Sequence, residues 1–244
     1  MKLSGLARLI FLFLAMLAMA SFSYAADENP LPMPVGKVVW VKGTFRALMP
    51  NKEERILQKS SILYLHDTLK TDENAEAEII FTDKTLMTFR SGTTFFINQY
   101  SFKPNAKSGS VGKYVMDLIE GGFRTITGLI AKSNPPDYQV NTPVATIGVR
   151  GTDYAVYFHG GEMYIGYYNG TPCVKGKKQG ELCLDSGTPY GYVPSADATP
   201  VPVSVQPSVF QQKLTITPAS ISAFNTIGGG SSISGPVTSF CITY

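Results

Sequence analysis

Hydrophobic and polar residues alternate with the two-residue period of β-strands along much of the chain. The run from residue 75 to 82 places four apolar side chains on one face and two glutamates on an exposed face: Ala75, Ala77, Ile79 and Phe81 against Glu76 and Glu78. A tight turn at residues 82–85 follows, and residues 86–90 return as the partner strand. Short strands of this kind recur about every 8 to 12 residues, which indicates an all-β domain.

The strand spacing favours a rolled antiparallel sheet or a β-sandwich, with a short β-solenoid as the alternative. Glycines at 121 and 122 are expected to end one strand, and residues 123–130 to form another strand or a short helix. From 187 to 207 the chain is dense in Pro, Ser, Thr and Gly, which predicts a linker or draped loop within an irregular C-terminal extension. The predicted organisation is a signal peptide (1–25), a linker (26–34), a β domain (35–170), a hairpin (171–186) and the extension (187–244).

The first 25 residues have the three parts of a secretory signal peptide. Lys2 and Arg8 precede an apolar run from 9 to 20, and Ser23-Tyr24-Ala25 supplies small residues at the cleavage position. The apolar run is too short to span roughly 30 Å of hydrocarbon as a stable helix, so an uncleaved anchor is the less favoured alternative. We expect the mature protein to begin near Ala26 and to reach the periplasm, with secretion or outer-membrane association as alternatives.

The charge balance argues against nucleic acid as a partner. Without the signal peptide the chain has 19 basic and 18 acidic residues, a formal charge of +1. Nucleic-acid-binding proteins normally carry a basic stripe, which is absent from this sequence.

The sequence predicts neither catalytic residues nor a metal site or cofactor. His66 and His159, with three scattered cysteines, do not have the spacing of a zinc site. The sequence also lacks a Gly-x-Ser-x-Gly elbow and a phosphate-binding Gly-Lys-Ser/Thr loop. Asp117 and Glu120 form a candidate carboxylate pair for sugar hydrolysis, but exposed carboxylates near a strand end are the simpler interpretation.

Cys173 and Cys183 flank a short lysine-rich segment and are expected to form a disulfide that clamps a hairpin in an oxidising compartment. A redox-active pair is the alternative, although such pairs usually have Cys-x-x-Cys spacing. The lysines at the tip predict a solvated charged turn, with contact to lipid phosphates as the alternative: Lys175, Lys177 and Lys178. The state of Cys241, whether free or paired, stays open.

The segment from Tyr138 to Val156 has the most specific pattern in the chain. Pro143 fixes its own φ and pushes Thr142 toward an extended conformation, which sets the start of a strand. Gly148 lacks a Cβ, so we expect another backbone to approach it closely.

The end of this segment predicts a turn with paired charges. Gly151 is expected to supply the turn conformation, and Thr152 to bond its own backbone. Arg150 and Asp153 are close enough in sequence to pair across the turn. A structural role is therefore predicted for these residues, with Arg150 as an anion or partner contact as the alternative.

These motifs resemble the FecR domain. The resemblance rests on Gly121-Gly122-Phe123-Arg124 and the run from Tyr138 to Tyr154, with weaker similarity at residues 36–38, 69–71 and 75–89. It covers roughly residues 35 to 170. The resemblance implies a periplasmic or surface domain that senses or scaffolds. Family regulators also carry a cytoplasmic segment that controls a sigma factor, followed by a membrane helix, but this sequence begins with a signal peptide instead.

The sequence thus predicts a non-enzymatic exported domain that acts as a protein-interaction, sensing or scaffold module. Its expected partner is an envelope protein, and no stable transmembrane segment is expected after cleavage. The alternative is a ligand-binding module whose tyrosines recognise an envelope glycan or a siderophore-like molecule: Tyr164, Tyr167 and Tyr168. An envelope hydrolase is the weaker alternative.

Overall fold

The computed structural model describes residues 32–104, 111–133, 135–211, 214–218, 220 and 222. The predicted signal peptide and Cys241 lie outside these residues. Among the described residues, no helix combines the length and the apolar character needed to cross a bilayer.

The described part of the chain is an all-β fold, as predicted, and it includes a short helix, α1 (Leu129–Ser133). Its strands are β1 (Pro34–Lys42), β2 (Phe45–Leu48), β3 (Glu54–Ile56), β4 (Ile62–Tyr64), β5 (Thr68–Thr71), β6 (Glu76–Phe81), β7 (Leu86–Phe89), β8 (Thr94–Lys103), β9 (Val111–Ile126), β10 (Tyr138–Asn141), β11 (Ala145–His159), β12 (Glu162–Gly176), β13 (Glu181–Cys183), β14 (Tyr190–Val193) and β15 (Val201–Val203). Single turns of 3₁₀-helix occur at Pro135–Asp137 and Ser208–Phe210.

The three longest strands, β9, β11 and β12, run through two layers of one rolled sheet. The front layer contains β1, β6, β7, β14 and β15 with residues 121–126, 153–159 and 162–169 of the long strands. The back layer contains β2, β3, β5, β8, β10 and β13 with residues 111–120, 145–150 and 171–176.

Aromatic rings from unpaired strands meet between the two layers. Phe89 of β7 lies 6.1 Å from Phe45 of β2 and 5.1 Å from Phe95 of β8, measured between ring centroids. Phe81 of β6 lies 5.3 Å from Tyr100 of β8. These side chains are buried, so the core lies between the layers, as expected for a rolled sheet or sandwich.

The sheet contains one parallel pair, where an antiparallel arrangement is predicted. β10 runs parallel to β9, with Tyr138 opposite Tyr114 and Asn141 opposite Asp117. The chain leaves β9, passes through α1 and the following 3₁₀ turn, and so returns to the end of β9 at which that strand began. A helix in the connection makes this parallel return possible.

Gly121 does not end a strand, contrary to the prediction, but lies directly after a break in register between Leu118 and Glu120 of β9. Its φ is +84°, and a Cβ at this position would lie 2.6 Å from the Cα of Thr93. Before this point the inward-facing residues of β9 are even-numbered, as at Leu118, and after it they are odd-numbered, as at Phe123. An extra residue in a strand has this effect, because side chains alternate between the faces.

The turn at residues 82–85 anchors the start of α1. The buried carboxylate of Asp83 accepts hydrogen bonds from the Thr85 backbone N–H (3.0 Å) and hydroxyl (2.9 Å). The Asp83 carbonyl accepts the Leu129 N–H at 2.8 Å, and the Tyr100 hydroxyl accepts the Asp83 N–H at 2.8 Å. Burial raises the pKa of Asp83 although these hydrogen bonds oppose the shift.

A linker or draped loop is predicted for residues 187–207, but the structure has two strands there. β14 pairs with β12, with Tyr192 opposite Tyr164, and β15 pairs with β14. The tyrosines of β14 alternate with buried Gly191 and Val193. This alternation covers only four residues, so it is too short to stand out from the surrounding Pro- and Ser-rich sequence.

The predicted disulfide is confirmed. Cys173 of β12 and Cys183 of β13 lie directly opposite each other and are bonded. Lysines 175, 177 and 178 are exposed, and the ammonium group of Lys178 lies 2.7 Å from a carboxylate oxygen of Asp197. The disulfide therefore closes the hairpin that ends β12.

Replacing Cys173 and Cys183 together by Ser should lower the free energy of unfolding by about 2–3 kcal/mol, because the unfolded chain regains the entropy of a short loop. Urea denaturation with and without reductant measures the change. The reductant should have no effect on the double variant. If the wild-type protein has the same free energy of unfolding with and without reductant, the prediction is wrong.

Asp83→Asn should lower the free energy of unfolding by about 1–3 kcal/mol, because an amide nitrogen cannot accept the hydrogen bonds now made by one carboxylate oxygen. The pKa of Asp83 is higher in the folded than in the unfolded protein, so its ionisation weakens the fold as pH rises through the folded pKa. The stability difference between wild type and variant should therefore be largest at low pH and narrow toward neutral pH.

Urea titrations across mildly acidic to neutral pH test this, with Glu73→Gln at an exposed position as the matched control. A stability difference that widens with rising pH would show that the Asp83 carboxylate favours the folded state when charged.

Candidate functional site

The Thr142-Pro143 turn joins β10 to β11 through hydrogen bonds of Thr142. Its hydroxyl accepts the Ala145 N–H at 3.0 Å and donates to the Ala145 carbonyl at 3.0 Å. The Thr142 backbone N–H donates to the same carbonyl at 2.8 Å. The prediction for Gly148 is wrong: a Cβ there would have no atom within 4 Å, so no other backbone approaches it.

The prediction that Arg150 pairs with Asp153 is wrong. The carboxylate of Asp153 instead accepts two hydrogen bonds from Arg124, from Nε at 3.0 Å and Nη2 at 2.8 Å. Arg124 lies on β9 opposite Ala155, two residues from Asp153, so it is a diagonal cross-strand neighbour. The Arg150 side chain is exposed on the back-layer half of β11.

The Gly151 turn conformation is confirmed by its φ of +59°. Thr152, however, bonds to Thr127 and not to its own backbone: its N–H donates to Thr127 Oγ1 at 2.8 Å, and its carbonyl accepts the Thr127 N–H at 2.9 Å. The buried Thr152 hydroxyl has no hydrogen-bond partner among the described residues. The motif thus ties β11 to the end of β9 and aims Asp153 away from the core.

We define the outer face as the surface of the front layer that points away from the core. Across the strands, a line of paired positions on this face runs through Glu78, Thr88, Arg124, Ala155, Gly166 and Tyr190. Ala155 and Gly166, two small neighbours in this line, leave a shallow groove between larger side chains. Arg90 and Tyr157 lie on one side of this groove, and Asp153 and Tyr168 lie on the other.

A segment near the C-terminus, residues 207–211 and 214–218, lies over the outer face and is called the strap below. Phe210 is buried in the groove, where its ring stacks on Tyr190 with centroids 6.2 Å apart. A Cβ on Gly166 would lie 3.4 Å from this ring, so glycine gives the ring room. Further along, buried Ile216 packs in a small apolar cluster with Val39, Ile80 and Leu86.

Two arginines bind carbonyl groups of the strap. Nη1 of Arg90 donates to the Val209 carbonyl at 2.9 Å, and Nη1 of Arg124 donates to the Leu214 carbonyl at 3.2 Å. The guanidinium of Arg90 lies 4.6 Å from the ring centre of Tyr157, and that of Arg124 lies 4.4 Å from the ring centre of Tyr168. Both guanidinium groups therefore combine a ring contact with a strap contact.

Arg124 keeps its charge in this partly buried position. Burial opposes ionisation, but the hydrogen bonds and the negative charge of Asp153 outweigh it and raise the pKa of Arg124.

Glu78, predicted to be exposed, is fully buried beneath the strap. Its carboxylate accepts the Thr217 N–H at 2.9 Å and the Thr217 hydroxyl at 2.7 Å, and it also accepts the Ser220 hydroxyl. Burial raises the pKa of Glu78, with a further contribution from nearby Glu76. The strand period correctly placed Glu78 away from the core but gave no sign of the segment that covers it.

Beside the strap, three tyrosines on adjacent strands form a row: Tyr157 on β11, Tyr164 on β12 and Tyr192 on β14. The rings of Tyr164 and Tyr192 stack with centroids 4.6 Å apart, and all three side chains are partly exposed. At the end of the row, His159 pairs with Glu120.

The structure separates the three tyrosines proposed from sequence as an aromatic surface. Tyr164 belongs to the row, Tyr168 stacks on Arg124, and Tyr167 packs against the core. The carboxylates of Asp117 and Glu120 likewise have separate partners. Asp117 accepts amide hydrogen bonds from Asn98 at 2.8 Å and from Asn141 at 2.9 Å, whereas Glu120 contacts His159.

Replacing Arg124 by Gln or Asp153 by Asn should each lower the free energy of unfolding by about 1.5–3 kcal/mol, because each change leaves a partly buried charge with fewer hydrogen bonds. The double variant should lose less than the sum of the two, since the two side chains interact directly. Urea denaturation of the four proteins measures this coupling. Arg150→Gln is the control and should change stability by less than about 0.5 kcal/mol; a loss equal to that of Arg124→Gln would contradict this assignment.

Comparison with known proteins gives one family match. The family model described as FecR protein matches residues 67–171. No curated protein matches the chain. Two crystal structures of a "putative anti-sigma factor" from Parabacteroides distasonis ATCC 8503, at 2.50 and 1.65 Å resolution, are similar, each with 14% identity and a TM-score of 0.43. In both cases the alignment covers 56% of this chain and 58% of the other chain.

The family match extends from the start of β5 to within β12 and contains the motif that sets the Arg124–Asp153 pair. It includes the Thr142-Pro143 turn and the break at Gly151, the features on which the resemblance was predicted. The resemblance to the FecR domain predicted from the sequence is therefore confirmed over residues 67–171.

Proposed function

We propose that this chain is an exported, non-catalytic FecR-domain module that contacts other proteins in the cell envelope, as a sensor or a scaffold. The signal-peptide pattern of residues 1–25 supports export, with the periplasm as the destination. The disulfide between Cys173 and Cys183 fits an oxidising compartment of this kind. Control of a sigma factor across the membrane is not part of the proposal.

The observation that carries this proposal is the tyrosine row of the outer face, Tyr157, Tyr164 and Tyr192. Tyrosine combines a large apolar ring with a hydroxyl that tolerates water, and it is enriched at protein interfaces. The row lies on adjacent paired strands, and the stacked rings of Tyr164 and Tyr192 are already ordered. Glu120 and His159 provide a charged rim at one end.

A glycan or a siderophore-like molecule is the alternative ligand for the same row. The stacked pair Tyr164–Tyr192 offers a ring surface that suits the apolar face of a sugar or of an aromatic group. Both proposals place recognition on the outer face, so the same variants test them.

Tyr164→Ala combined with Tyr192→Ala should abolish capture of a stoichiometric envelope protein by the mature chain, because the stacked rings provide most of the apolar contact area. The measurement is a quantitative pull-down from native envelope extract. Replacing both residues by Phe keeps the rings and should retain the partner. Ile56→Ala, at an apolar side chain that is 61% exposed on β3, is the control for non-specific capture.

Partner capture that survives the double alanine variant, with a melting temperature near that of wild type, would remove the tyrosine row from the proposal. Saturable glycan or siderophore binding without a protein partner, lost in the same variant, would select the alternative.

A further inference from the structure

The strap is bound to the outer face in a way that differs from the rest of the C-terminal segment. β14 and β15 extend the sheet by strand pairing, whereas strap residues 209 and 214–217 contact the sheet through its side chains. The strap crosses the front layer from Tyr190 of β14 to Val39 of β1. It therefore lies across the strands as a separate segment on a completed surface.

Much of the polar contact is made to the backbone of the strap. Arg90 and Arg124 bind the carbonyls of Val209 and Leu214, and Glu78 binds the N–H of Thr217. These groups are present in any polypeptide, so these three contacts do not require a particular sequence. Side-chain selectivity comes from the buried Phe210 and Ile216, six residues apart, and from the hydroxyls of Thr217 and Ser220, which also donate to Glu78.

Main-chain hydrogen bonds that provide affinity, together with a few side-chain pockets that provide specificity, are also how proteins bind peptide segments of other chains. The groove also contains charged groups that burial disfavours, the carboxylate of Glu78 and the guanidinium of Arg124. A cover with only a structural role would be served at least as well by apolar residues, since burying charges offsets much of what their pairing contributes.

We infer that the outer face is a binding groove for a peptide segment and that the strap occupies this groove in cis. The partner is a protein segment of the same chemistry, with an aromatic residue in a single 3₁₀ turn over Gly166 and Tyr190 and a β-branched apolar residue about six positions later. This inference rests on the proposed function, because it names the class of partner for a protein-contact module. The strap is tethered next to its site, so it competes with the partner at a high effective concentration.

A synthetic peptide with the sequence of residues 207–220 tests the inference on the complete mature chain. Phe210→Ala in the chain removes the aromatic anchor of the strap and should free the groove. The labelled peptide should then bind at least about tenfold more tightly than to wild type, because the cis segment no longer fills most of the sites. Fluorescence anisotropy measures both affinities.

Three controls accompany this measurement. Val205→Ala changes a side chain that is 74% exposed just before the strap, and it should leave peptide affinity at the wild-type value. A peptide with Ala in place of its Phe should bind at least about tenfold more weakly, because ring burial is lost. Hydrogen exchange should accelerate at the amides of residues 209–217 in Phe210→Ala, with the amides of β9 and β11 unchanged.

Ile216→Ala loosens the other end of the strap and serves as a second variant if Phe210→Ala does not fold. Failure of the peptide to bind either folded variant would overturn the inference, as would faster exchange throughout the sheet, which would make the strap an integral part of the fold. Dimerisation of wild type through exchanged straps, seen by light scattering, would make a second copy the occupant and overturn the assigned partner.

The peptide assay needs no envelope partner, so its outcome is separate from that of the tyrosine-row experiment. Peptide binding without envelope capture would leave the groove in place and count against the proposed function. Envelope capture that depends on Tyr164 and Tyr192, without peptide binding, would count against the groove alone.

Discussion

The two layers depend on one constraint in β9, β11 and β12. Where each of these strands passes from one layer to the other, the residues that face the core must switch between odd and even sequence numbers. Each strand does so beside a glycine with positive φ: Gly121, Gly151 and Gly170. In β11 the residues that face the core are odd-numbered up to Val149 and even-numbered from Tyr154. Without this change, one half of each strand would turn its apolar side chains to solvent. Gly151 and Gly170 also meet closely, since a Cβ on Gly170 would lie 2.7 Å from the Gly151 carbonyl oxygen.

The same constraint builds the outer face. After the break at Gly151, Asp153 points away from the core and reaches Arg124, whose own orientation follows from the break at Gly121. The Thr142 to Asp153 motif is thus more than a folding signal, because it sets the ion pair that orients Arg124 toward both Tyr168 and the strap. Replacing either partner is expected to disturb stability and strap binding together, whereas Arg150, adjacent in sequence to Gly151, lies outside this network.

The sequence predicted what depends on local periodicity and missed what depends on register. Alternation correctly identified β6 and the face on which Ile79 lies, and cysteine spacing correctly identified the hairpin disulfide. The pairing of Arg150 with Asp153 was wrong because the closest cation came from another strand, 29 residues away in sequence. Arg90 and Arg124 contact strap residues that are 119 and 90 positions away in sequence, so no local pattern predicts these contacts. The tyrosines of β12 are divided by ordinary strand alternation, since Tyr167 lies on the opposite face from Tyr164.

Arg90 connects the two parts of the proposed function. Its guanidinium donates to the Val209 carbonyl of the strap and lies over the ring of Tyr157, the first member of the tyrosine row. A peptide that replaces the strap must therefore either reproduce the Val209 contact or release Arg90 to move. In the first case the tyrosine row is unchanged, and groove and row bind independently. In the second case Tyr157 loses a neighbour that orders its ring, and occupancy of the groove alters the row through a direct contact. Coupling between the two surfaces thus requires no change in the sheet, only two positions for one side chain.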